Sequence, residues 1–170
     1  MNLFMEISGG ASTEILQREF AAAVADDAVK AIVLDVDSPG GTVDGTEALA
    51  DLVYASRGKK PVVAFANGLM ASAAYWIGSA ANEIVIEETA EAGSIGVIQV
   101  HYDYSKADEK AGIKRTIIKS GRYKAIGNTA ERLTREAEDY LQAGTDYIYS
   151  LFVENVARNR GADVETVLTD

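Results

Sequence analysis

Ser72 stands in the stretch Gly68-Leu69-Met70-Ala71-Ser72-Ala73-Ala74-Tyr75-Trp76-Ile77-Gly78, a single serine in a run of small and apolar residues, where a strand-like segment gives way to a helix-like one. A serine becomes a nucleophile only when a base takes its proton and donors hold the oxyanion that forms. The alanines at 71, 73 and 74 leave room for a substrate backbone, and a helix start offers N–H groups without acceptors of their own. Another N–H can come from Gly40-Gly41, because glycine adopts the tight turns that aim amides outward. The same local pattern also fits an ordinary N-cap or packing serine. As a base the chain has His101, its single histidine, beside Tyr102 and Asp103, or the lysines 119 and 124 that flank Gly121 in the run from Lys119 to Ala125. Histidine would build a Ser-His-Asp arrangement; lysine would need burial to lower its pKa. Spacing alone does not choose between them.

These residues are held by an alternation of helical and strand-like segments. Ile15, Leu16, Phe20, Ala23 and Val24 recur at helical spacing within Thr13 to Asp27. Ala31 to Asp37 is a short apolar run cut by Ser38-Pro39-Gly40-Gly41, which predicts a strand buried on both faces. A helix over Asp44 to Arg57, a strand over Pro61 to Asn67, a helix from Ser72 to about Ala81 and a strand over Glu83 to Glu88 follow. Gly93 to Tyr104 reads as extended, Ser105 to Gly112 as a short helix and Lys114 to Ser120 as a strand. Finally, Ala137, Tyr140, Leu141, Gly144, Ile148, Leu151, Phe152 and Val156 share one stripe of a helix over Thr134 to Arg160, about 38 Å long at 1.5 Å per residue. Alternation of this kind predicts an α/β fold with a mainly parallel sheet, flanking helices and a long C-terminal helix. In such sheets chemistry gathers where strand ends meet helix starts, and three glycine-marked segments lie there: Asp37 to Gly41, the Ser72 stretch, and Lys119 to Ala125. Neither a repeat nor a linker interrupts residues 1–170, so one domain is expected.

Composition narrows the chemistry further. Twenty-six acidic against 16 basic residues give a formal charge of −10, which opposes a phosphate-tracking surface and argues against nucleic acid as a partner. The absence of cysteine removes thiol nucleophiles, disulfides and thiolate ligands. One histidine argues against a transition-metal site, and no cofactor is expected. Neither an apolar run of about 18 residues nor a basic, apolar leader is found, so a soluble, cytoplasmic chain without a membrane span is expected.

Four segments in order, Val36 to Gly41 (VDSPGG), Met70 to Trp76 (MASAAYW), Ala92 to Val97 (AGSIGV) and Ser120 to Ala125 (SGRYKA), resemble the signal peptide peptidase A family of serine proteases, which shares a fold with Clp protease subunits and crotonases. The similarity runs from about Ala28 to Gly161 and lies nearest to phage and prophage head proteases, which trim capsid and scaffold proteins. The resemblance implies Ser72 as nucleophile and Lys124 as general base, 52 positions on. It also implies Ser94 as the serine that orients the lysine, and the backbone N–H groups of Gly41 and Ala73 as the oxyanion hole. Lys119 matches no catalytic position. The family's usual Gly-Gly after the serine is Ala73-Ala74 in this chain, a difference read as specificity. Family members carry further segments on either side, so the chain reads as a core fragment of a longer protein.

The function implied is a serine endopeptidase with a Ser/Lys dyad that processes phage head or scaffold proteins in the host cytoplasm or prohead. The polypeptide substrate would bind in extended form, as an added strand near the DSPGG and GSIGV segments, with small or apolar residues before the cut. The family pattern further implies a homo-oligomer in which Ser72 of one subunit meets Lys124 of a neighbour. The alternatives are a catalytically silent capsid-assembly module, a crotonase-like acyl-CoA enzyme, and a Clp-type peptidase using Ser72 and His101.

Overall fold

The computed structural model describes residues 10–169; residues 1–9 and 170 of the expected 1–170 domain lie outside the described part. The chain divides into two compact units, residues 10–96 with 151–169, and residues 97–150.

In the first unit, helix α1 (Thr13–Ala25) is followed by strand β1 (Ile32–Ser38), helix α2 (Thr46–Ser56), strand β2 (Val62–Ala71), helix α3 (Ala73–Ser79) and strands β3 (Glu83–Ile86) and β4 (Glu91–Gly93). Every strand pairing is parallel, in the order β1-β2-β3, and β4 pairs with the far end of β2. Parallel neighbours need crossover connections, and α2 and α3 supply them. The expected α/β class with a parallel sheet is therefore the observed one. β2 is central: Val62, Ala64 and Ala66 on one face are fully buried. Its start is locked by Asn82, whose side chain accepts the Val62 N–H at 2.9 Å while its own backbone N–H donates to the Val62 carbonyl at 2.9 Å.

β1 differs from the expectation of a strand buried on both faces. Its residues alternate between half-buried and exposed, and Val33 is 63% exposed. The apolar run misleads because the alternate positions 35 and 37 are aspartates, and their side of β1, the edge strand among the described residues, is exposed.

The core beneath the covered face is built from α2, α3 and the last turns of the C-terminal helix α5 (Arg135–Arg160). Leu49, Ala50 and Val53 of α2 are buried, and Trp76 of α3 stacks on Phe152 of α5 with ring centroids 4.6 Å apart. Gly78 lets α3 lie against β2: a Cβ there would fall 2.3 Å from the Met70 sulfur. A short helix α6 (Val164–Leu168) ends the described chain.

The second unit holds helix α4 (Ser105–Lys110) and the first four turns of α5. Arg115 pairs with Asp108 at 2.7 Å, and Tyr123 stacks on Tyr140 with centroids 4.7 Å apart. The strand expected over Lys114 to Ser120 does not form, and the stretch to Tyr104 that reads as extended joins no ladder among the described residues beyond Gly93, which ends β4. Apolar alternation alone does not make a strand; a ladder partner is required, and Ile98 and Ile118 instead stand 89% and 95% exposed. The α5 stripe is likewise buried unevenly. Phe152 and Val156 are inside, whereas Tyr140 is exposed.

One side chain joins the ends of three helices. Arg57, just past α2, donates from Nε to the Ala80 carbonyl (2.7 Å) and from Nη2 to the carbonyls of Ser79 (3.2 Å), Ala81 (2.6 Å) and Asn159 (2.8 Å). The first three acceptors end α3 and the fourth ends α5, where orphan carbonyls favour a cation. Its guanidinium also lies over the Tyr54 ring at 4.5 Å, and burial lowers its pKa from the usual arginine value. Arg57→Met is expected to lower unfolding stability by about 3 kcal/mol, since charge-assisted bonds are worth about 1.5–3 kcal/mol each and do not add fully. Arg57→Lys, a point donor in place of a fork, is expected to restore less than half of the loss. Urea denaturation of the three proteins measures both.

Candidate active site

Ser72 sits between β2 and α3 with φ 52° and ψ −124°. It and Ser94 (φ 55°) are the non-glycine residues with positive φ among the described residues. Such a conformation costs of order 1–3 kcal/mol and persists only where the surroundings over-determine it. Here they do. The Ser72 N–H donates to the Gly93 carbonyl at 2.8 Å, extending the β2–β4 ladder by one bond. The Ser72 carbonyl accepts the Trp76 N–H at 2.9 Å, opening α3. The residue is thus gripped by a strand on one side and a helix on the other. It occupies the N-cap position, yet its hydroxyl makes no capping bond. A capping serine takes extended backbone angles and turns its oxygen to the second or third N–H of the helix; Ser72 does neither.

The Asp37-to-Gly41 loop closes over this elbow. Ser38 Oγ shapes it by accepting the Gly40 N–H at 3.2 Å. Gly40, at φ 108°, approaches the elbow so closely that a Cβ there would lie 2.8 Å from Ser72 Cβ, 3.0 Å from the Ala71 carbonyl oxygen and 3.1 Å from the Ala73 nitrogen. Gly41, next along, faces open space. Ala73 is the first residue of α3, where backbone N–H groups lack intrahelical acceptors. Ser72, Ala73 and the Gly40-Gly41 turn are therefore neighbours. Ser94, exposed, follows directly on the Gly93 carbonyl that holds the Ser72 amide.

Lys124 belongs to the second unit, in a turn after Gly121 (φ 97°), and its side chain is exposed. In the same unit Lys119 Nζ donates to the Arg122 carbonyl at 3.4 Å. His101 Nδ1 lies 3.2 Å from the Gly127 carbonyl, while Nε2 is buried with no partner among the described residues. A cavity of about 170 Å³ lies beside Lys119, Arg122, Asn128 and Glu131. No helix among the described residues is long and apolar enough to cross a membrane.

Two contacts of the elbow, those of Gly93 and Gly40 with Ser72, do not show in the sequence. Gly93 belongs to a three-residue strand, too short to show a period, and its glycine is the one signal there. Gly40 was legible only as half of a Gly-Gly pair; its contact with Ser72 is a matter of tertiary approach.

The α/β fold with a parallel sheet carries a strained serine at a strand–helix elbow, and comparison with known proteins gives the family. Residues 55–170 match peptidase family S49, and residues 2–91 match Clp protease. The chain belongs to peptidase family S49. It is 38% identical over 146 residues to capsid assembly protease C of Escherichia phage lambda, covering 86% of this chain and 33% of that protein. With the head-tail preconnector protein GP5 of Enterobacteria phage P21 it shares 38% over 145 residues, covering 85% and 29% respectively. A putative protease of Methanocaldococcus jannaschii is 41% identical over 143 residues, covering 84% and 46%. The chain thus spans between 29% and 46% of the length of these relatives.

Because Gly40 is both left-handed and in contact with the elbow, Gly40→Ala is expected to distort it. With Ser72 as nucleophile, its reaction with a fluorophosphonate would fall about 100-fold, the penalty of displacing a reacting group by an ångström. Gly58→Ala, whose added methyl meets nothing within 4 Å, should react at the wild-type rate. Intact-mass kinetics on both variants measures this.

Proposed function

We propose that the chain is a serine endopeptidase in which Ser72 is the nucleophile and Lys124 the general base. The observation that carries the reading is the backbone of Ser72, held at φ 52° with its hydroxyl free of any capping bond. Outliers of this kind cluster at active sites, where strain presents a reacting group, and strand-to-helix elbows serve hydrolases in this way.

In the proposed reaction Lys124 accepts the Ser72 proton as Oγ attacks the peptide carbonyl. The N–H groups of Gly41 and Ala73 stabilise the oxyanion, and the lysine then passes its proton to the leaving amine. Water, deprotonated by the same lysine, releases the acyl group and restores Ser72. Ser94 orients the lysine. The packing of the Gly40 turn against the elbow supports the proposed oxyanion donors. The relatives named for capsid assembly and for the head–tail preconnector support phage head or scaffold polypeptides as substrates, cut in the prohead or host cytoplasm. The substrate lies extended, as a strand added beside β4 and the Gly41 turn.

A lysine works as a base when desolvation or a neighbouring cation disfavours its ammonium form. Following the family pattern, we assign the working partner of Lys124 to a neighbouring copy: a homo-oligomer with each dyad shared between two subunits. An intact-mass assay with a peptidyl fluorophosphonate, run with light scattering, tests the chemistry. The adduct should form on oligomeric wild type and be lost in Ser72→Ala and in Lys124→Ala. Mixing those two inactive variants under conditions that exchange subunits should restore about a quarter of the sites, the fraction in which an intact serine meets an intact lysine at random assembly. Loss of the adduct in His101→Ala but not in Lys124→Ala would instead establish the Clp-type arrangement. An oligomer that takes no adduct at all would leave a capsid-assembly module without catalysis.

A further inference from the structure

We infer that Asp37 is a positioning residue for the Ser72 elbow, setting the distance between that elbow and the Gly40-Gly41 turn; the inference rests on Ser72 being the nucleophile. The reason lies in the register of the sheet. β1 and β2 pair residue for residue from Ile32 opposite Val62 to Val36 opposite Ala66, and pairing resumes only at Ser38 opposite Met70. Asp37 thus stands alone against Asn67, Gly68 and Leu69. One residue's backbone cannot serve three, and bulges of this kind recur beside active sites, where they re-aim a strand.

The Asp37 side chain supplies what its backbone cannot. Oδ1 accepts the Leu69 N–H at 3.1 Å. The same oxygen lies 2.8 Å from where a Cβ on Gly68 would be, so glycine at 68 is what admits the carboxylate. Leu69 is where β2 changes partner. Up to Ala66 its neighbour is β3, and from Leu69, opposite Glu91, its neighbour is β4. Three residues later the Ser72 N–H donates to Gly93. Meanwhile the backbone of Asp37 runs directly into Ser38 and the Gly40 turn that touches Ser72. The residue therefore stands at the root of both arms of the site, one through its main chain and one through its carboxylate.

What position 37 must provide is an acceptor oxygen, not a charge. Asparagine keeps that oxygen and alanine loses it. The bond is exposed, and its loss should appear in the chemical step rather than in binding.

The test uses the assembled full chain and a peptidyl fluorophosphonate, resolving the maximal inactivation rate from the half-saturating probe concentration, with amide exchange at Leu69 followed in parallel. Asp37→Ala should slow the maximal rate about 30- to 100-fold at an unchanged half-saturating concentration and speed exchange at Leu69. Asp37→Asn should stay within about threefold of wild type on both measures. Gly68→Ala, which keeps the carboxylate but pushes it away, should reproduce the alanine defect and decides the matter if Asp37→Ala does not fold. A wild-type rate in Gly68→Ala and Asp37→Ala, or an asparagine variant as slow as the alanine one, overturns the role of Asp37 while leaving Ser72 as nucleophile. A wild-type oligomer that takes no adduct at Ser72 removes both.

Discussion

The close approach of Gly40 to Ser72 is the constraint on which the site depends. Two segments more than 30 residues apart must meet with no side chain between them, and each must already be bent into a conformation that an isolated chain avoids. Gly40 manages this by having no Cβ. Ser72 has one, and is held against its preference by the β4 ladder before it and the first bond of α3 after it. Neither grip would last without a firm sheet behind it, so the fully buried middle of β2 is what allows its end to be strained.

The chemistry and the fold are then arranged along one strand. β2 begins in a dry core, paired on both sides; it loses register beside Asp37, takes β4 as its new neighbour, and ends at the serine. Stability is concentrated at one end and irregularity at the other. Parallel α/β sheets share this polarity, since their strand ends open onto the loops that carry function. The relation of the chain to peptidase family S49 accords with such a division of labour.

Much of this frame was legible in the residues, and the failures share a cause. The helices α1, α2 and α5 and the strands β1, β2 and β3 announce themselves through period and punctuation, as did the junction at Ser72. What sequence could not show depends on a neighbour. Ala31 to Asp37 is apolar enough for a strand covered on both faces, but only the assembled sheet shows Val33 and Asp35 exposed. Lys114 to Ser120 has strand-like side chains and no ladder partner among the described residues. β4 has a partner but only three residues with which to advertise it. For the site, residue types narrowed the base to a histidine or two lysines; the preference for Lys124 came from the family resemblance, and the positive φ of Ser72 and Ser94 was visible only in three dimensions.

The tie between Arg57 and the end of α5 also governs the order in which the molecule can be made. The first unit consists of two pieces of chain separated by more than 50 residues, and its interior is closed only when Phe152 reaches Trp76 and the Asn159 carbonyl reaches Arg57. Contacts so distant along the chain are slow to find, and synthesis proceeds from the other end. A nascent chain that has emerged as far as the elbow therefore contains Ser72 before it has the helix that closes the core behind it. The elbow gains its full support late, only after the segment from Phe152 to Asn159 has been made and has closed the core.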